Sequence, residues 1–272
     1  MPPRSPVAVG PAIRITRPAS AMLSGISTWS GAIGAVPTGP RTKLLHLVRH
    51  AQGFHNIDPE VMKQPEGLDA QLTEEGQAQC AALARAVGEG FRPELIVTSP
   101  LTRTCQTAAL SFGAQLRAGV PLVALEHVRE TVNFLCDKRR PLGEIRADMA
   151  RAGITVDMSA GCAHEHDALW AAYEERFGSQ GAFMAHRESA DLPALAERAR
   201  AAFAWLASRP ERDIVVVSHS AFYWNLFNMA RLGRKAGVAP LVDFCGDREL
   251  EAWLGSKFEN GEMKTILCEF LE

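Results

Sequence analysis

Four short stretches of the chain carry residues whose types and spacing suit chemistry. Leu47-Val48-Arg49-His50-Ala51-Gln52-Gly53-Phe54-His55-Asn56 sets an arginine against a histidine, and Ser99-Pro100-Leu101-Thr102-Arg103-Thr104-Cys105-Gln106-Thr107-Ala108 adds a second arginine. Val128-Arg129-Glu130 contributes a carboxylate, and Val216-Val217-Ser218-His219-Ser220 a second histidine. Two histidines, two arginines and one carboxylate meet the needs of phosphoryl transfer. A phosphoryl group in flight spreads charge over three oxygens, and fixed cations stabilise it. Arg49 and Arg103 offer planar forks that match phosphate oxygens. One neutral imidazole can attack phosphorus and split a hard step into two. Glu130 can protonate the leaving oxygen and then deprotonate water; Glu126, four residues earlier, is the alternative acid. On this reading the arginines and the second histidine supply the positive charge, and no metal or other cofactor is expected.

These residues need strands to bring them together. Lys43–Arg49, Leu95–Thr98 and Asp213–Ser218 are nearly continuous apolar runs, as expected of strands buried on both faces. Leu122–Leu125 is a shorter candidate, and Lys264–Phe270, after the turn signal Asn260-Gly261, is a candidate edge strand. Helical signals alternate with them. Thr73 caps a helix that opens with Glu74 and Glu75, shows Ala78, Ala81, Ala82 and Ala86 as its apolar face, and closes at Gly88. Residues 192–208 repeat apolar side chains at helical spacing behind Asp191 as cap. The alternation predicts one α/β domain over residues 42–272, with an insertion at about 131–190 as a partial lid. In such a sheet ligands bind at the carboxyl ends of the strands, where Arg49-His50 and His219 fall.

The four stretches, in this order, resemble the histidine phosphatase superfamily in its phosphoglycerate mutase-like branch. Arg-His with Asn six positions on, Ser-Pro-Leu-x-Arg-x-x-Gln-Thr-Ala, a later Glu and a strand-ending Ser-His all match, and the resemblance runs from about residue 43 to the end. It implies a three-layer α/β/α sandwich with a mostly parallel sheet. It also implies roles: His50 as phosphorylated nucleophile, Arg49, Arg103 and His219 as phosphate pocket, Asn56 as a further donor, and Glu130 as acid and base. Ala51-Gln52 stands where the family has Gly followed by Glu or Gln, and Ser220 where glycine is common. The wording Arg-His-Ala-Gln-Gly-x-His-Asn, with Cys136-Asp137-Lys138-Arg139-Arg140 downstream, is similar to a plant and fungal subgroup. Lys138, Arg139 and Arg140 are candidates for a second anionic group of the substrate.

Composition narrows the alternatives. A net charge of −2 leaves no basic footprint for nucleic acid, and no apolar run reaches the length of a membrane span. The six scattered cysteines read as reduced thiols. Cys162-Ala163-His164-Glu165-His166 has metal-like spacing but lacks a fourth ligand. Residues 1–41 are rich in Pro, Ala, Ser and Gly and carry arginines without acids. They read as a disordered or targeting extension outside the fold, which makes the compartment cytoplasmic, or chloroplast or mitochondrion if the extension is a transit peptide. The expected partner is a small phosphorylated substrate. Hydrolysis of a phosphomonoester is the leading function, a phosphomutase the alternative, and a non-catalytic phosphate-binding module the reading from another class.

Overall fold

A computed structural model describes residues 10–18, 39, 41–178 and 187–271. Among the described residues seven strands form one sheet: β1 (Ile13–Thr16), β2 (Thr42–Arg49), β3 (Leu95–Thr98), β4 (Leu122–Ala124), β5 (Asp213–Ser218), β6 (Val242–Asp243) and β7 (Met263–Phe270). Their order is β4-β3-β5-β2-β7-β1-β6. β4, β3, β5 and β2 run parallel, β7 is antiparallel to both β2 and β1, and β1 pairs parallel with β6. Eight α-helices accompany them among the described residues: α1 (Glu74–Val87), α2 (Thr102–Ser111), α3 (Gly113–Arg117), α4 (Leu142–Arg151), α5 (Ala168–Phe177), α6 (Leu192–Ser208), α7 (Ser220–Leu232) and α8 (Arg248–Gly255).

Side chains alternate across the pleat, which builds two cores. Leu45, Leu47, Leu95, Val97, Ile214 and Val216 face one side, where α6, α7 and α8 lay Leu195, Phe203, Phe222, Leu226 and Leu254 against them. Val48, Ile96, Val215 and Val217 face the other and meet Leu83 of α1, Cys105 and Ala108 of α2 and Ile145 and Met149 of α4. The result is the α/β domain that the alternating pattern predicts, in the α/β/α sandwich form that the resemblance implies.

The chain departs from its sequence reading in four places. First, residues 10–18 are not outside the fold: β1 adds to the sheet, with Ile13 and Ile15 fully buried. Four residues show too short a period to announce a strand, and only β6 and β7 supply their partners. The rest of the extension read as disordered or targeting (1–9, 19–38 and 40) lies outside the described residues. Second, β7 is no edge, because β1 covers its far side.

Third, α1 turns a different face inward. Thr73 does cap it, its Oγ1 accepting from the Gly76 amide at 3.0 Å, and Gly88 closes it at φ 69°. The buried residues, however, are Gly76, Cys80, Leu83 and Val87 rather than the alanines. Alanine gains little from burial, so the larger side chains choose the face. Gly76 also lets the helix approach the loop after β2, since a Cβ there would lie 2.1 Å from the Gln52 carbonyl oxygen. Fourth, Asp191 makes no capping bond to α6 and pairs with Arg176 instead.

The insertion divides in two. α4, with Val156, Met158 and Cys162, extends the core under β3 and β4. Val132, Leu135, Trp170 and Tyr173 gather with Leu68 and Leu169 into a separate cluster. The turn at Leu135–Asp137 belongs to this second part and reaches the site described next.

Candidate active site

Register places the two histidines. Arg49 of β2 pairs with Ser218 of β5, so His50 and His219 leave adjacent parallel strands side by side. The His50 amide continues the ladder to the Ser218 carbonyl at 2.9 Å, and the imidazole centroids lie 5.1 Å apart. On the other flank of β5, the Ser99 amide bonds to Val217, which brings the Ser99 hydroxyl within 2.9 Å of His219 Nε2. Arg103 then stands in the first turn of α2. Glu130 follows the turn after β4, and the Ser218 hydroxyl ties that loop down by donating to the Val128 carbonyl at 2.7 Å. Residues far apart in sequence thus meet at one sheet end because four parallel strands finish there.

Both imidazoles at the centre are neutral. His50 Nδ1 lies 2.8 Å from the Ala51 carbonyl oxygen, which can only accept. Nδ1 therefore holds the hydrogen and Nε2 keeps its lone pair. Burial, then the charges of Arg103, His55 and Arg49, hold His50 well below the usual histidine range. The same causes, burial first and Arg103 next, depress His219. The second histidine therefore does not bring a positive charge, as its sequence position suggested. It offers Nδ1, which is buried and without a partner among the described residues. In the tautomer whose Nε2 accepts from the Ser99 hydroxyl, Nδ1–H is a donor for an anion.

The arginines are anchored by one nitrogen and open at another edge. Arg49 Nη1 donates to the Phe258 carbonyl at 2.8 Å, and Arg103 Nη1 to the Cys136 carbonyl at 2.8 Å. Arg103 Nε and Nη2, which form the side-on edge of the fork, are buried without a hydrogen-bond partner, as is Arg49 Nε. A buried guanidinium with unmet donors favours an oxyanion that takes two of them at once.

Glu130 accepts from the amides of Thr131 at 2.9 Å, Phe222 at 2.8 Å and Ala221 at 3.2 Å, the last two at the start of α7. Those amides favour the carboxylate, but burial outweighs them. Burial and the charge of Asp137 raise Glu130 to about 6. Glu126, the alternative acid, is occupied by Arg129 at 2.6 Å and Arg139 at 3.3 Å. Asn56 uses its Oδ1 on the Gly53 amide at 3.0 Å and on Asn260 Nδ2 at 3.3 Å, so its oxygen shapes the turn and only Nδ2 remains for an anion. Ala51 is fully buried beside Leu72 and Cys80, and its methyl group fits where the family has glycine.

Of the cationic run, Arg139 is buried and spends its donors on the carbonyls of Arg140, His164, Glu165 and His166. Arg140 pairs with Asp69 and Asp148. Both are structural, and Lys138 lies over the Trp170 ring. Among the described residues no group of His, Cys, Asp or Glu is gathered as a metal site; His164 and His166 are exposed while Cys162 is buried.

The model of the histidine phosphatase superfamily, branch 1, matches residues 45–152. A phosphoglycerate mutase-like protein of Arabidopsis thaliana is 30% identical over 260 residues, 84% of each chain. The chain belongs to the histidine phosphatase superfamily. A second relative, phosphoglycerate mutase-like protein 1 of Arabidopsis thaliana, is 29% identical over 221 residues, 69% of this chain and 72% of that one. Among solved structures, a mycobacterial glucosyl-3-phosphoglycerate phosphatase in complex with VO3 is 22% identical with a TM-score of 0.44, covering 82% of this chain and 92% of that one.

Within this histidine phosphatase chain, four neighbours of the site escaped the sequence reading. Ser99 had a signal, its place directly after β3. His55 is buried with its ring 5.3 Å from His50. Asn260 donates to the His50 carbonyl at 3.0 Å from what the sequence shows only as a turn. Asp137 sits 3.6 Å from Arg103 Nη2, and nothing local announces that contact.

Proposed function

We propose that the chain hydrolyses the phosphomonoester of a small phosphorylated metabolite through a phosphohistidine on His50. The observation that carries this reading is a neutral, tethered His50 beside two anchored arginines whose remaining donors are unmet. The phosphoryl group rests on Arg49, Arg103 and His219 Nδ1, with Asn56 Nδ2 as a further donor. His50 Nε2 attacks phosphorus; the P–N bond forms as the ester P–O bond breaks, and Glu130 passes its proton to the leaving oxygen. Water then attacks the phosphohistidine and gives a proton to Glu130. The P–N bond breaks, orthophosphate leaves, and both groups return to their starting states. A carboxyl group near 6 suits both proton transfers. Fixed guanidinium charge meets the demand of the transition state, so turnover is expected to persist with chelator present.

The test is phosphate release from a panel of alkyl, aryl, sugar and glycerate phosphates in chelator, wild type against His50→Ala, with trapping of labelled phosphate on the protein. Hydrolysis that His50→Ala abolishes, with acid-labile label on the wild type alone, is the expected outcome. Label that moves from protein to a second hydroxyl instead of water would make the chain a mutase. Equal turnover by both proteins would remove His50 as nucleophile.

A further inference from the structure

Asp137 is a buried carboxylate that the reaction above does not use. It belongs to the insertion, in the turn Leu135–Asp137, and the fold presents it to Arg103. The turn holds it firmly: Oδ2 accepts from the amides of Asn133 at 3.1 Å and Phe134 at 2.9 Å, and its own carbonyl accepts from Arg129 Nη2 at 2.6 Å. Oδ1 then faces Arg103 Nη2 at 3.6 Å, within ion-pair range but too far for a hydrogen bond. The residue before it, Cys136, takes Arg103 Nη1 on its carbonyl. Consecutive residues of one turn thus meet both terminal nitrogens of a guanidinium that has no solvent exposure.

We propose that Asp137 is a positioning residue of this site, which steers the Arg103 guanidinium through an ion pair and sets a negative charge against Glu130. The inference rests on the reading of Glu130 as general acid. Two features give it weight. A fully buried cation without a counter-charge is costly, and Asp137 offsets Arg103 while the site is empty without occupying its hydrogen bonds. And the like charge of Asp137 acts on Glu130 in the same direction as burial, against Arg103 and the backbone amides; burial raises Asp137 as well, and Arg103 with the Phe134 and Asn133 amides draws it back toward the ionised form. The other groups that interact with Glu130 are Arg49 and the Cys136 thiol; those that interact with Arg103 are Arg49, His50, His55, His219 and the Cys136 thiol, which also donates to Asp137 Oδ1 at 3.5 Å.

The test is the pH profile of kcat/KM for one alkyl phosphate, a poor leaving group that needs the acid. Wild type, Asp137→Asn, Asp137→Glu and Glu130→Gln are compared with the same substrate, so its own ionisation cancels. Asp137→Asn keeps an oxygen for the Asn133 and Phe134 amides; Asp137→Ser is a second neutral variant should the first not fold. The expected result is an alkaline limb moved to lower pH by about half a unit or more in the neutral variant. Asp137→Glu should move it back, and Glu130→Gln should lose the limb. If Glu130→Gln loses the limb while a folded neutral Asp137 variant keeps it in place, Asp137 has no such role and the acid reading stands. If Glu130→Gln keeps the wild-type limb, the acid reading fails and this inference with it.

Discussion

At the scale of single residues, the site works by denying its groups their usual partners. Arg103 is fully buried with two nitrogens unsatisfied, and His219 Nδ1 is in the same condition. Such groups cost stability in the empty protein and gain it back when an oxyanion binds. Glu130 shows the opposite balance: three amides satisfy it, yet burial keeps its proton on to about 6. A prediction follows from the leaving group. Glu130→Gln should lower kcat for an alkyl phosphate by about a hundredfold or more, because a poor leaving oxygen needs the proton. An aryl phosphate such as para-nitrophenyl phosphate should lose far less. Steady-state rates on the two substrates decide this, and an equal loss on both would point to a binding role for Glu130 instead.

At the scale of elements, the short strand β1 matters beyond its four residues. It covers β7, gives β6 its one strand partner among the described residues, and buries Ile13 and Ile15. Burying an isoleucine contributes about 1.5–3 kcal/mol, so the pair contributes at most about 6 kcal/mol. The ion pairs of Arg14 and Arg17 with Asp243, Asp247, Glu249 and Glu269 are more exposed and add little. A chain beginning at Thr42 should therefore unfold at lower denaturant than one that keeps residues 10–18, and should associate through the uncovered edge of β7. Denaturation midpoints and light scattering of the two proteins test this; coincident curves would mean that β1 is dispensable.

At the scale of the whole molecule, the buried histidines couple folding to pH. Burial first, then neighbouring cations, depress His50 and His219 well below the usual range and bring His55 to about 2. Their folded values lie below their unfolded ones, so the stability they contribute is present above about pH 6.5 and is lost as pH falls below it. Each unfolded-state proton taken up is worth about 1.4 kcal/mol per pH unit in that window. Glu130, raised from 4.5 to about 6, acts with the opposite sign, losing its contribution as pH rises through 6. Asp69 and Asp137, raised by burial, act as Glu130 does, and His127, lowered by burial, acts as the other histidines do; four histidines outweigh three carboxyl groups, so Tm should fall between about pH 7 and about pH 5. His55→Gln should flatten that slope in a thermal scan; an unchanged slope would show that His55 is not held neutral by the fold.

Much of this was legible in the chain because it is encoded locally. Leu95–Thr98 and Asp213–Ser218 form the strands expected from their apolar runs, and α6 spans the residues its period marks out. Arg49, His50, Arg103, Glu130 and His219 are brought together because each ends or follows a strand of the parallel set. What the sequence left open depends on partners far away along the chain. Ile13–Thr16 is a strand only because β7, some 250 residues on, presents free backbone groups beside it. Arg139 and Arg140 look like ligands for an anion until Glu126, Asp69 and Asp148 arrive to neutralise them. Asp137 has no local pattern that aims it at Arg103, 34 residues earlier. Periodicity and turn chemistry are properties of neighbours in sequence, and so the chain by itself determined its elements and its reactive residues. Which charges neutralise one another, and which edges are covered, are properties of neighbours in space, and only the packed sheet and its insertion decided them.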